Sequence, residues 1–236
     1  MYGAALAEVY DQCYEGRGRD YAAEVDTVLE LVRRHGGEVR SLLDVACGTG
    51  AHLRRFARRC PHVEGLELSP DMLTVARGAL PDVALHEGDM RTFRLPRRFD
   101  VVTCLFSSIG HMADVSELTA AVRSMAHHLT PGGTLVVEPW WFPEAFLPGY
   151  VAADVVETGE RRICRVSHST RDGHASRVEV HYVVADPAGI RSFVDIQYIT
   201  LFTRAEYEHA FREAGCEVTH VEGGLCGRGL FIARRD

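Results

Sequence analysis

A chain of 236 residues can hold one α/β domain with a sizeable insertion, or at most two small domains. Its formal net charge of -7 gives no pull toward nucleic acid or an anionic membrane, which argues against a polymer substrate. No apolar run approaches the roughly 20 residues of a membrane span, and Met1-Tyr2-Gly3-Ala4-Ala5 lacks a basic, apolar leader pattern, so a cytoplasmic protein is expected. The seven cysteines include no C-x-x-C pair and read as reduced thiols. The twelve histidines show no zinc-like spacing, so no metal is expected.

Residues 1–40 read as a helical flap followed by a docking helix. Ala5, Leu6, Val9 and Tyr10, then Tyr21, Val25, Val28, Leu29, Leu31 and Val32, recur at helical spacing around a polar break at Glu15-Gly16-Arg17-Gly18-Arg19-Asp20. Tyr2, Tyr10, Tyr14 and Tyr21 put four phenols in this segment, suited either to the core and its rim or to a lid that packs on a ligand ring and donates a hydrogen bond.

The apolar run Leu42-Leu43-Asp44-Val45 enters the turn Ala46-Cys47-Gly48-Thr49-Gly50 and passes into a helix over His52 to Arg59, the strand-turn-helix order of a nucleotide-type site. Seventeen residues past Gly50, Glu67 ends a second strand, Val63 to Leu68, where a carboxylate can take both hydroxyls of a ribose. There is no third glycine after Gly50, which weakens the dinucleotide alternative. Together with Gly88-Asp89-Met90, the set resembles class I S-adenosylmethionine-dependent methyltransferases. The resemblance implies that Glu67 holds the ribose and Asp89 meets the adenine amino group, with Ala46, Gly48, Met90 and Leu105 also along the cofactor.

Ser69-Pro70-Asp71-Met72 reads as a capped helix start running to about Ala79, and Val83 to Glu87 as a third strand. Phe99 to Phe106, nearly all apolar, reads as a parallel strand buried on both faces. Its carboxyl end runs into Ser107-Ser108-Ile109-Gly110-His111-Met112, where open α/β sheets place reacting groups, so His111 is a candidate for chemistry. A helix Val115 to Leu129 closing on Pro131-Gly132-Gly133 and a strand Thr134 to Glu138 complete a doubly wound, mostly parallel sheet. His127-His128 suits a helix-end role.

From Pro139 the pattern changes. Trp140-Trp141 is either an interface plug or a ring-binding wall. Strands then follow without helices, Arg161 to Thr170, Ser176 to Ala185 and Arg191 to Phe202, giving an antiparallel insertion over about 151–202 whose polar face is expected to look onto the cleft. A helix Arg204 to Ala214 and two final strands joined through Gly223 to Gly229 return to the main sheet. Arg228, flanked by glycines, is either a surface residue or a free fork for phosphate.

Across the whole chain, Ala7-Glu8-Val9-Tyr10-Asp11, Gly16-Arg17-Gly18-Arg19-Asp20-Tyr21, Leu42 to Gly50, Phe106 to Met112, Glu138 to Glu144, Arg165-Val166-Ser167-His168-Ser169 and Gly227-Arg228-Gly229-Leu230-Phe231 resemble the nucleotide-sugar N,N-dimethyltransferases of macrolide amino-sugar (desosamine and mycaminose) pathways. The resemblance implies one methyltransferase domain over 1–236 of Rossmann-like class I fold, with a seven-stranded sheet, that methylates the amine of a dTDP-linked 3-amino deoxysugar twice. Tyr10 and Arg19 would meet the methionine end of the cofactor. Trp140 and Trp141 would wall the thymine, Arg165 and Arg228 would hold the diphosphate, and Tyr2, Tyr21 and His111 would surround the amine, with Tyr2 and His111 at the chemistry. A homodimer assisted by the insertion is also implied. Two other readings share the cofactor motif: a different small-molecule methyltransferase, and a non-catalytic S-adenosylmethionine-binding module.

Overall fold

The computed structural model describes residues 3–36 and 39–235. Helices α1 (Ala4–Gly16) and α2 (Tyr21–Arg34) precede an alternation of β1 (Ser41–Val45), α3 (Ala51–Phe56), β2 (His62–Glu67), α4 (Pro70–Ala79), β3 (Ala84–Glu87), β4 (Phe99–Cys104), α5 (Val115–His127) and β5 (Leu129–Val137). Four long strands follow, β6 (Tyr150–Thr158), β7 (Arg161–Asp172), β8 (Ala175–Asp186) and β9 (Gly189–Thr200), then α6 (Arg204–Glu213), β10 (Cys216–Val221) and β11 (Leu230–Arg235).

Seven strands form one sheet in the order β10-β11-β5-β4-β1-β2-β3. The five strands from β5 to β3 run parallel, while β11 pairs antiparallel with β5 and β10. Alternate residues send side chains to opposite faces. Leu43, Val102 and Leu135 therefore pack with Leu118, Val122 and Phe211 of α5 and α6, while Leu42, Val101 and Val136 pack with Val28, Val32 and Leu53 of α2 and α3. The strand order reverses between β1 and β4, which opens a crevice at their carboxyl ends.

The helix starts follow their caps. Ser69 Oγ accepts the Met72 N–H at 3.3 Å with Pro70 opening α4, and Asp20 accepts from Ala22 and Ala23 at the start of α2. Three expectations change. Helix α5 stops at His127, and Pro131-Gly132-Gly133 lies inside β5, where the pairing with β4 shifts between Phe99 and Val101. The insertion carries a fourth strand, β6, paired along β7. The polar positions of β8, Arg177, Glu179 and His181, face away from the cleft. Val178, Val180, Tyr182 and Val184 instead turn inward to pack with Leu6, Val9 and Cys13 of α1, because burying that apolar row outweighs presenting a polar one.

His128, which follows α5, is fully enclosed. Its Nδ1 donates to the Ser124 carbonyl at 2.7 Å and its Nε2 accepts the Leu95 N–H at 2.9 Å, which fixes the neutral tautomer, and burial holds its pKa below that of an ordinary imidazole. The unfolded chain, titrating near about 6.5, takes up this proton more readily, so the contribution of His128 is complete above that pH and erodes as pH falls. Melting temperature should therefore decline from about pH 7 toward pH 5, and His128→Phe should lower the whole curve while flattening that decline. An unchanged acid slope in the variant would contradict this.

Candidate active site

The turn after β1 is built from backbone that most side chains avoid. Ala46, Gly48 and Gly50 have φ of 57°, 57° and 82°, and Gly50 caps α3. Only the alanine carries a Cβ in that left-handed region, a local strain of the kind that collects at binding sites. Glu67, at the end of β2 and 7% exposed, secures the turn. Its Oε2 accepts the Gly48 N–H at 2.9 Å and its Oε1 accepts the Ser69 N–H at 2.8 Å, so the carboxylate is held still with lone pairs to spare.

In front of this turn lies a cavity of about 520 Å³ walled by Tyr10, Tyr21, Asp44, Ala46, Gly48, Glu67, Asp89, Met90, Leu105, Phe106 and His111, with Asp195 and Gln197 reaching in from β9. The expected cofactor residues are thereby brought together, except Arg19, which stands beside this wall. Arg19 lies 3.7 Å over the Phe106 ring and donates to Glu24 Oε2 from Nε (3.0 Å) and Nη2 (2.8 Å). His52 Nε2 is 2.7 Å from the same Glu24 oxygen. Asp89 accepts from the Arg91 N–H at 2.9 Å and from Arg91 Nε at 3.0 Å, contacts that keep its carboxyl below the usual range. Asp44 was not singled out from the sequence. Burial pushes its pKa up to about 6, and the Thr103 hydroxyl donates to it at 2.7 Å.

A second cavity of about 500 Å³ adjoins the first and shares Tyr10, Phe106, His111 and Gln197 with it. Trp140, Trp141, Arg165 and Arg228 all line this one, so the residues expected for nucleotide and diphosphate do meet. The guanidinium of Arg228 is 5.2 Å and 5.6 Å from the two indole centroids, and Trp140 Nε1 donates to Ser176 Oγ at 2.9 Å. Both tryptophans form part of the wall of this cavity. Arg165, 7% exposed, donates through Nη1 to Ser167 Oγ at 3.0 Å, and its buried Nε has no partner.

Two placements differ from expectation. Arg228 is not an unobstructed fork, since its Nη2 donates to Glu138 Oε1 at 2.9 Å and its side chain is only 9% exposed. Tyr21, expected beside the substrate amine, lines the first cavity with its hydroxyl buried and unpartnered, because α2 docks it edge-on against the His52 ring. Tyr2 lies outside the described residues. His111 touches both cavities from the short 3-10 turn after β4. Solvent reaches its ring through the open cleft, yet the surrounding protein desolvates it enough to lower its pKa, against a hydrogen bond with the Tyr198 backbone that raises it.

The partition between the cavities is Phe106. It and Ser107 adopt φ of 56° and 61°, held there as the Phe106 N–H donates to Glu138 Oε2 at 2.7 Å and Ser107 Oγ donates to the Pro139 carbonyl at 2.7 Å. Tyr10 and Tyr14 pack edge-on against the same ring. An electrophile in one cavity and a nucleophile in the other would meet at the gap between Phe106 and His111.

Residues 42–133 match the methyltransferase domain family. Over 233 residues the chain is 57% identical to the dTDP-3-amino-3,4,6-trideoxy-alpha-D-glucopyranose N,N-dimethyltransferase of Streptomyces venezuelae, covering 98% of each. Among solved structures it resembles Streptomyces venezuelae DesVI with a TM-score of 0.96 at 56% identity over 100% of both chains. It also resembles S-adenosylmethionine-bound CalS10, an amino pentose methyltransferase of Micromonospora echinaspora, with a TM-score of 0.89 at 53% identity over 97% of both. A match of that depth extends well beyond the cofactor turn, through flap, insertion and final strands, and the chain belongs to the dTDP-amino-sugar N,N-dimethyltransferases.

Proposed function

We propose that the protein transfers two methyl groups in succession from S-adenosylmethionine to the 3-amino group of a dTDP-3-amino-deoxyhexose in macrolide sugar biosynthesis. One observation carries this reading. A cavity containing the ribose-type carboxylate Glu67 opens beside a second cavity walled by two indoles and two buried arginines, each with an unpartnered Nε, and the two meet at Phe106 and His111. Planar walls and paired cations suit a nucleoside diphosphate.

The residues of the first cavity fit the cofactor. Glu67 would offer acceptors to the ribose and Asp89 to the adenine amine, while Asp44 and Tyr10, on the same cavity wall, would serve the methionine end. Arg19, one layer back, adds positive potential for the carboxylate. When bound, S-adenosylmethionine supplies a sulfonium methyl that is already electrophilic. The protein's task is then mainly to aim the amine. With a lysine-like pKa near 10.4 as the upper limit, keeping the amine neutral near pH 7.4 costs about 4 kcal/mol. Alignment of reacting groups contributes about 7–11 kcal/mol, so positioning outweighs any single proton acceptor.

His111 orients the amine and takes the proton that each transfer leaves on nitrogen, directly or through water. Its lowered pKa keeps the ring neutral and able to accept down to below about pH 6.5. Replacing it by asparagine should slow turnover about 10- to 100-fold while both methyl groups still arrive, at or below the lower end of acid-base contributions. A variant that binds both ligands but forms no product would make His111 an essential base instead.

We further propose that the protein works as a cytoplasmic homodimer. Among the described residues, no helix is long and apolar enough to cross a membrane. The outer face of the insertion sheet exposes Val155, Val166, Val183 and Val194, apolar surface of the kind that subunit contacts cover. Thermal stabilisation by dTDP tests the substrate reading, since a methyltransferase acting on an unrelated small molecule has no reason to respond.

A further inference from the structure

The geometry points to Glu138 as a positioning residue that aims Arg228 at the substrate diphosphate, an inference that rests on the nucleotide-sugar reading above. Glu138 follows β5 at the carboxyl end of the sheet and is 0% exposed. A carboxylate so deep is costly unless every lone pair is used well. Oε2 accepts the Phe106 N–H at 2.7 Å and lies 3.9 Å from Arg19 Nη2, and Oε1 accepts Arg228 Nη2 at 2.9 Å. The same side chain thus sets both the partition between the cavities and the cation of the second one.

Arg228 needs such an anchor. Its loop contains Gly223, Gly224, Gly227 and Gly229, all at positive φ, so the backbone does little to choose a direction for the side chain. Glu138 occupies a single N–H of the fork, Nε is buried without a hydrogen-bond partner, and the side chain lines the second cavity. A guanidinium held at one tooth while its side chain lines the cavity is pre-organised for an anionic acceptor there. Removing the carboxylate would also relieve its repulsion of an incoming diphosphate. The loss of direction outweighs that relief, because an unpaired arginine on a glycine-rich loop swings out toward water.

The test is calorimetric titration of dTDP and of thymidine into the wild type, Glu138→Gln, Arg228→Ala and the double variant. Glutamine retains an oxygen for the Phe106 N–H and removes the charge. The dTDP affinity of Glu138→Gln should fall about tenfold while thymidine binding stays within about twofold, and the Glu138→Gln effect should vanish in the Arg228→Ala background. The assignment is overturned if dTDP binds Glu138→Gln as tightly as the wild type or tighter. Equal weakening of dTDP and thymidine, or a Glu138→Gln effect that persists without Arg228, overturns it too. If Glu138→Gln does not melt cooperatively, Glu138→Asp, which keeps the charge but draws the fork back by one methylene, is held to the same pattern. Wild-type protein that fails to bind dTDP would sink the nucleotide-sugar reading and this role with it, whereas dTDP binding that is blind to Glu138 sinks this role alone.

Discussion

Glu67→Ala should lower the affinity for S-adenosylmethionine by about 2–4 kcal/mol, the scale of charged hydrogen bonds lost at a buried site. Two effects combine. The ribose hydroxyls lose a carboxylate acceptor, and the turn loses the contact that Gly48 N–H makes with Glu67 at 2.9 Å. The Ser69 N–H, now satisfied by the second oxygen at 2.8 Å, is left without that acceptor as well. Glu67→Gln separates these contributions, because its amide keeps one oxygen for a backbone donor but gives up the charge, so a smaller loss is expected. Calorimetry showing unchanged cofactor affinity in Glu67→Ala would remove Glu67 from the site.

Arg228→Ala should raise KM for the nucleotide sugar about 100- to 1000-fold and leave S-adenosylmethionine affinity within about threefold, as truncation of a buried charged partner typically costs several kcal/mol. The side chain sits in the second cavity with 9% exposure, and no wall of the first cavity includes it. The substitution also strands Glu138, whose Oε1 accepts from Arg228 Nη2, so the melting temperature should drop together with the rise in KM. Arg228→Lys keeps a charge but cannot offer a planar fork to a carboxylate and a diphosphate at once, and should recover only part of the affinity. Equal damage to both ligands would instead mean general loss of structure.

What the sequence made legible was what a few neighbouring residues decide. Gly48, Gly50 and Glu67 lie within 20 residues of one another, and the strand that precedes each feature is a plain apolar run, so turn, carboxylate and cavity could be read together. Arg228 shows the limit. Its glycine neighbours predict freedom, but its partner Glu138 is 90 residues away in the chain and joins it only because β11 pairs with β5. The positive φ of Phe106 and Ser107 had no glycine to announce it, so the partition between the cavities was invisible beforehand. Strand β6 went unread because Val151 and Val155 lie on its outward face, leaving little inward apolar alternation after Pro148-Gly149. In the sequence Tyr21 is one phenol among several and nothing separates it from the substrate group; the docking of α2 against His52 is what puts it in the first cavity.

The central claim is that a dTDP-linked 3-amino sugar is methylated twice on one nitrogen. Mass spectrometry of a dTDP-3-amino-deoxyhexose incubated with the enzyme and S-adenosylmethionine tests it directly by counting the methyl groups acquired. The account predicts a monomethylated species that rises and is consumed, ending in a product with two added methyl groups, both on the amine by fragmentation. Substrate that stays unmodified under conditions where it binds, product that stops at one methyl group, or methylation of a sugar hydroxyl would contradict it.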